Sequence, residues 1–203
     1  MRWSYNHLFL CNITRREKGD QSIKKRMAFP FGSSFLASLL LMFLFVTSSY
    51  GMSSTKIVDI CSRTLNHSFC LDVLRSTHRK PDLDLRGLAQ ITLDLASSNA
   101  TKTINLIHSL IKQTKSPQLR ECYTSCSQNY DTLIGDLDQA KKYLSSGDHS
   151  GVNVITAGVL AEISDCKERF EEPLVDPSTL PKRNRDLENI CTIILVISNV
   201  LSQ

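Results

Sequence analysis

The stretch LRECYTSCSQNYDTLIGDLDQAKKYLSSGD, residues 119–148, decides how the chain is read. Its apolar side chains are Leu119, Cys122, Cys126, Tyr130, Leu133, Leu137, Ala140 and Leu144. They recur every three or four positions, which is the period of one face of an α-helix. Ser116-Pro117 in front of the stretch supplies an N-cap and a proline at the first helical position. Ser-Ser-Gly-Asp at 145–148 closes it: Gly147 suits a helix C-terminus, and Asp148 can cap the next helix. One long helix is thus bounded at both ends by its own chemistry.

The same period recurs on either side. Upstream it runs through Ala89, Leu93, Ala96, Ala100, Ile104, Ile107 and Ile111. Downstream it runs through Val152, Ile155, Val159, Ile163, Cys166 and Phe170, then through Leu187, Ile190, Ile194, Ile197 and Leu201. EEPLVDPSTLP (171–181) separates the last two, and its three prolines predict a break that cannot stay helical. Short connections favour antiparallel neighbours, so the expected fold is all-α. It is an up-and-down four-helix bundle over residues 81–203, preceded by a shorter helical piece over 52–80.

The first 51 residues read differently. Lys24, Lys25 and Arg26 precede the apolar run FLASLLLMFLFV (35–46), and TSSYG (47–51) follows it. A basic flank, about a dozen apolar residues and a small-residue exit describe a secretory signal peptide, with cleavage expected after Gly51. The run is too short for a comfortable membrane span. Met27 is an alternative start. Seven of the 24 Lys+Arg and two of the 20 Asp+Glu lie in this segment, leaving 17 bases against 18 acids in residues 52–203. The formal charge of +4 therefore belongs to the targeting segment, and a nucleic-acid partner is not expected. Nor is a membrane partner after cleavage.

Secretion places Cys61, Cys70, Cys122, Cys126, Cys166 and Cys191 in an oxidising compartment, where cysteines pair. Six cysteines allow 15 pairings, and their number alone does not choose among them. The helical register adds a preference. Cys126 stands 18 residues before Leu144 and Cys166 stands 18 after Asp148, so antiparallel helices joined at the 145–148 turn bring the two level. Cys61 and Cys70 then remain as a local loop able to hold two short helices as a hairpin.

No catalytic constellation is present. His67, His78, His108 and His149 lack nucleophile partners in sequence, and no GxSxG, P-loop, GxGxxG or HExxH occurs. Asp82/Asp84 and Asp136/Asp138 are spaced i, i+2, which splays them apart on a helix. No metal, cofactor or enzymatic activity is expected. A small disulfide-clamped bundle without such residues points to binding through its outer helix faces. Residues 52–203 hold two N-glycosylation sequons, at Asn66 in the expected hairpin turn and at Asn99 inside a helix beside the apolar stripe.

Ile60-Cys61-x8-Cys70, RGLAQITLDLA (86–96), residues 119–154, AEISDCKERFE (161–171) and LENICTIILVISNVL (187–201) together resemble the plant invertase/pectin methylesterase inhibitor family. The resemblance covers nearly all of residues 52–203. It implies a four-helix bundle behind a helical hairpin, with disulfides Cys61–Cys70 and Cys126–Cys166, in agreement with the register above. It also implies a secreted protein of the cell wall or apoplast, and it allows a homodimer through exchange of the hairpin. Family targets are pectin methylesterase, whose substrate cleft is covered in a stoichiometric complex, and acid invertase. Invertase inhibitors often carry Pro-Lys-Phe after Gly-Asp. Here Gly147-Asp148 is followed by His149-Ser150-Gly151, while SCSQNYD (125–131), QAKKYLSSGD (139–148) and VISNVL (196–201) are more similar to pectin methylesterase inhibitors.

In that branch the middle helices cover the cleft, which selects Arg120, Ser127, Gln128, Asp131, Asp138, Asn153 and Thr156 as expected outward contacts. The chain departs from the family at Asp165, where threonine is common, and at TAGVLAE (156–162), where an alanine-rich run is usual. Cys122 is outside the four-cysteine pattern; it and Cys191 are expected to remain thiols, with a bond between the two as the alternative.

Overall fold

The computed structural model describes residues 54–77, 83–170 and 174–203. The expected signal segment, residues 1–51, lies outside the described residues. Among those described there are six α-helices and no strand: α1 Ser54–Ser62, α2 His67–Thr77, α3 Leu85–Gln113, α4 Pro117–Ser146, α5 His149–Glu168 and α6 Leu180–Leu201.

Helices α3 to α6 form a ring in which α3 packs on α4, α4 on α5, α5 on α6, and α6 back on α3. The diagonal helices keep their backbones apart, and α4 reaches α6 only through side chains such as Tyr130. This is the up-and-down four-helix bundle that the short connections predict. The α1–α2 hairpin seats on α6 and, through α2, on α3. Ile57, Ile60, Cys61, Cys70 and Leu74 are the residues it buries. No helix among the described residues is long and apolar enough to cross a membrane.

The helix ends follow the capping chemistry. Asp84 accepts from Gly87 N (2.7 Å), Ser116 from Leu119 N (3.3 Å) and Asp148 from Gly151 N (2.7 Å). Each satisfies an amide that the first helical turn leaves without a partner. Gly147 ends α4 in the left-handed region, at φ 79°, where a side chain is disfavoured. Gly151 is needed for a different reason. A Cβ there would lie 2.5 Å from Asp148 Oδ2 and 2.8 Å from the Tyr143 ring. The α4–α5 turn is therefore tight because two glycines make room for it.

One expectation needs correction. The stretch 171–181 is not wholly non-helical, since α6 begins at Leu180 and takes Pro181 into its first turn. Proline is tolerated there because its missing N–H is one the helix would leave unpaired anyway.

The core holds the apolar stripes, with Ile111, Leu119, Cys122, Ile155, Phe170 and Leu201 left at its margin. Cys126 and Cys166 form a disulfide between α4 and α5, and Cys61 and Cys70 close the hairpin; all four are fully buried. Beside the first bridge, Tyr130 Oη donates to Asn184 Oδ1 (2.7 Å), and Asn184 Nδ2 donates to Cys166 Sγ (3.5 Å). A buried hydroxyl without a partner would cost about 1–3 kcal/mol, so these bonds allow α4, α5 and α6 to share polar groups inside the core.

Tyr123 does the same for the connection into α6. Its hydroxyl donates to buried Asp176 Oδ1 (2.6 Å), whose carboxylate also accepts from Ser178 N and Oγ. Burial, and then the Asp176 contact, push the Tyr123 phenol up to about 12. Cys122 and Cys191 are free thiols. Cys191 is fully buried, and burial pushes it up to about 12. Cys122 Sγ donates to Arg169 O (3.1 Å) and is raised mainly by burial.

Removing the bundle bridge as Cys126→Ala/Cys166→Ala is expected to lower stability by about 2–4 kcal/mol and the melting temperature by roughly 10 °C. Cys61→Ala/Cys70→Ala is expected to lower it less, because that bridge spans nine residues rather than 40. Thermal melts followed by circular dichroism without reductant check the order; an equal or larger loss for the hairpin pair contradicts it.

Candidate functional site

The outer face of α4 is built by the residues its core stripe leaves outside. Arg120, Gln128, Asp131 and Asp138 are all exposed on it. Asp138 and the α3 residue Asp94 share Lys141, at 3.7 and 3.3 Å, which marks the edge next to α3. Arg120 reaches back along that edge, donating to Thr114 O at 2.8 Å. Along the opposite edge α4 meets α5: Asn129 Nδ2 donates to Glu162 Oε2 (2.6 Å), and Asp136 Oδ2 lies against Gly158.

Three expected contacts are placed elsewhere. Thr156 is 0% exposed, and its hydroxyl donates to Val152 O inside the core. Ser127 is 8% exposed and sits 2.9 Å from His108 Nε2 across the α3–α4 seam. Neither is an outward position. Polar residue type suggested exposure, but the stripes of α4 and α5 are wide enough to take in a small hydroxyl. Asn153 is half-buried, and its amide donates to Leu195 O, Ser198 Oγ and Asn199 Oδ1, so it ties α5 to α6. His108, expected to be solvated or structural, is exposed on α3 and keeps this one contact.

Several surface features were not singled out from sequence. Gly135 and Gly158 lie inside α4 and α5, where each glycine costs about 1 kcal/mol relative to alanine. Neither has an internal reason to be small. A Cβ on Gly135 would meet nothing within 4 Å, and one on Gly158 only Asp136 Oδ2, at 3.7 Å. Val154 is 71% exposed on α5. The α4–α5 face is thus low in relief, with Asp131, Asp136, Asp138, Glu162 and Asp165 supplying negative charge. The sequence does carry a signal for it, namely glycines in helix interiors away from any cap.

Asp136 is held above the usual carboxylate range, first by burial and then by the nearby Glu162 charge. Such a group binds its proton more tightly in the fold than in the unfolded chain. Ionised Asp136 therefore subtracts stability above its folded pKa, and the loss is relieved as pH falls through that value.

Among the described residues no group of three His, Cys, Asp or Glu side chains could hold a metal ion. Two open hollows lie among the described residues away from this face. One is between α2 and α3, over Phe69, Val73, Ile91 and Leu95; another is between the end of α5 and the start of α6. A disulfide-linked helical bundle that presents a broad polar face suits the recognition of another macromolecule's surface.

Comparison with known proteins gives that class a family. Residues 55–197 match the family model described as plant invertase/pectin methylesterase inhibitor. A pectinesterase inhibitor from Actinidia deliciosa is 39% identical over 86% of this chain and 98% of its own length. A cell wall / vacuolar inhibitor of fructosidase from Arabidopsis thaliana is 29% identical over 78% of this chain and 95% of its own. The crystal structure of a mutant form of a pectin methylesterase inhibitor from Arabidopsis superposes with a TM-score of 0.65 at 34% identity, covering 69% of this chain and 93% of that one. The chain belongs to the plant invertase/pectin methylesterase inhibitor family, whose members are inhibitors and not enzymes.

Two expected outcomes follow from this face. Asp136→Asn raises the melting temperature at pH 7 and leaves it unchanged below the ordinary Asp range, about 3.9; a benefit equal at both ends contradicts the assignment. Gly135→Ala raises stability by about 0.5–1 kcal/mol in urea unfolding, and a loss would mean that the space above Gly135 is not open.

Proposed function

We propose that this chain is a secreted inhibitor of pectin methylesterase that acts by covering the enzyme's substrate cleft in a stoichiometric complex. The observation that carries the reading is its near-full-length likeness to a pectinesterase inhibitor, at an identity well above that to the fructosidase inhibitor. The loop Gly147-Asp148-His149-Ser150-Gly151, which holds no Pro-Lys-Phe, agrees with it. The cell wall would be the working compartment, reached through residues 1–51 as a cleaved signal segment. Two buried cystines suit that oxidising route.

The α4–α5 face is the surface we assign to the enzyme. Its exposed candidates are Arg120, Gln128, Asp131 and Asp138, with Asp136 and Glu162 at the seam. Gly135 and Gly158 would let a partner's backbone come close where longer side chains would hold it off. No side chain of this chain attacks pectin; inhibition is steric. The acidic groups on the face would make association depend on salt and on basic groups across the interface.

The test is titration of disulfide-intact residues 52–203 against purified plant pectin methylesterase, following methanol release between pH 5 and 7, with acid invertase in parallel. Saturable, near-equimolar loss of methylesterase activity alone is expected. Loss of invertase activity alone would reverse the choice of target, and loss of neither would remove both. Asp131→Arg, checked to be folded, is expected to weaken inhibition roughly tenfold or more, consistent with the several kcal/mol that like-charge juxtaposition costs. Unchanged inhibition takes Asp131 off the surface.

A further inference from the structure

The α1–α2 hairpin carries two features that the binding face does not use. At its tip Leu65 is 77% exposed, the most exposed large apolar side chain among the described residues. The next residue, Asn66, opens the sequon Asn66-His67-Ser68 and is exposed as well. Asn66 also caps α2. Its main-chain carbonyl accepts from Cys70 N (3.0 Å), and its Oδ1 accepts from Phe69 N and Ser68 Oγ, both at 3.1 Å. The cap occupies the side-chain oxygen alone. Among the described residues Nδ2 donates no hydrogen bond, so a substituent there leaves the helix cap intact.

The second sequon, Asn99-Ala100-Thr101, is placed in the opposite way. Asn99 lies in the middle of α3 and is half-buried beside fully buried Ala96, Ala100 and Thr103. Thr101 Oγ1 donates to Ser97 O (2.9 Å), back along the helix and away from the asparagine. A bulky group on Asn99 would have to displace bundle packing.

We infer that Asn66 is an N-glycosylation site, that Asn99 is not, and that the glycan shields Leu65 so that the hairpin tip does not become a contact between copies of the chain. The inference rests on the secreted reading above. In the transfer, Asn66 Nδ2 attacks the anomeric carbon of a lipid pyrophosphate-linked oligosaccharide. The N–C bond forms, the C–O bond to pyrophosphate breaks, the lipid pyrophosphate leaves, and the amide nitrogen gives up one proton to the transferase. The product is a large hydrated group one residue from an apolar side chain that the fold itself leaves in water.

The full chain is produced in plant leaf cells, and wall fluid and cell lysate are collected separately. Tryptic peptides 64–75 and 87–102 separate the two sequons. Sugar is expected on 64–75 and not on 87–102. Ser68→Ala, which keeps the Asn66 cap, abolishes the glycan-dependent mobility shift, and Asn99→Gln leaves it unchanged. Peptide 64–75 recovered unmodified from wall fluid, or sugar on 87–102, overturns the site assignment alone. Unmodified protein confined to the cytosolic lysate overturns the secreted reading with it. Light scattering tests the shield: Ser68→Ala associates at concentrations where the glycosylated protein stays monomeric, and Leu65→Ser added to it restores the monomer. The same oligomeric state for the glycosylated protein and Ser68→Ala, once the mass of the glycan is subtracted, overturns the shielding role.

Discussion

The bond between Cys126 and Cys166 fixes the register of α4 against α5, and the rest of the bundle is arranged around that register. Both cysteines are fully buried, so the bridge acts inside the core and not as a surface strap. One turn along α4, Tyr130 reaches Asn184 of α6, and Asn184 in turn reaches Cys166. A sliding of α4 past α5 by one helical turn would break the covalent bond and strand two buried polar groups together. The same register sets Asn129 opposite Glu162 and Asp136 over Gly158, so the outer face inherits its geometry from the bridge.

The frame was legible in the sequence because its signals are local and redundant. Four apolar stripes, a serine-proline start and a glycine-aspartate turn each report the same helices, and the structure caps them as those residues predict. The equal spacing of Cys126 and Cys166 from the turn was enough to bring the two level. Pro181 was misread because proline reports only a local prohibition: it breaks a helix interior yet is welcome in a first turn.

The surface was less legible, and for a physical reason. Periodicity says which way a position points only to within the width of the buried stripe. Thr156 and Ser127 fell inside that width, where a hydroxyl is satisfied by a helix carbonyl or a neighbouring imidazole. Asn153 is half-buried at the α5–α6 seam, where its amide is taken by α6. Arg120, Gln128, Asp131 and Asp138 lie on α4 outside the stripe that Leu133, Leu137 and Leu144 fill, and they are exposed as expected. Gly135 and Gly158 matter for what they lack, a kind of signal that a search for polar contacts passes over.

The ring of four helices has an uneven connectivity. Three of its seams join helices adjacent in the chain; the fourth joins α3 to α6. Closing a contact costs entropy that grows with the length of chain between its ends, so the α4–α5 pair is the cheapest to form and the α3–α6 seam the dearest. During synthesis α6 is also the last of the four to emerge. Until it does, α3 and α5 each present an unpaired apolar flank, and Ile190, Ile193, Ile194 and Ile197 are not yet there to cover them. Until then the chain is an incomplete bundle with apolar surface in water, the kind of partly folded species that is prone to aggregate.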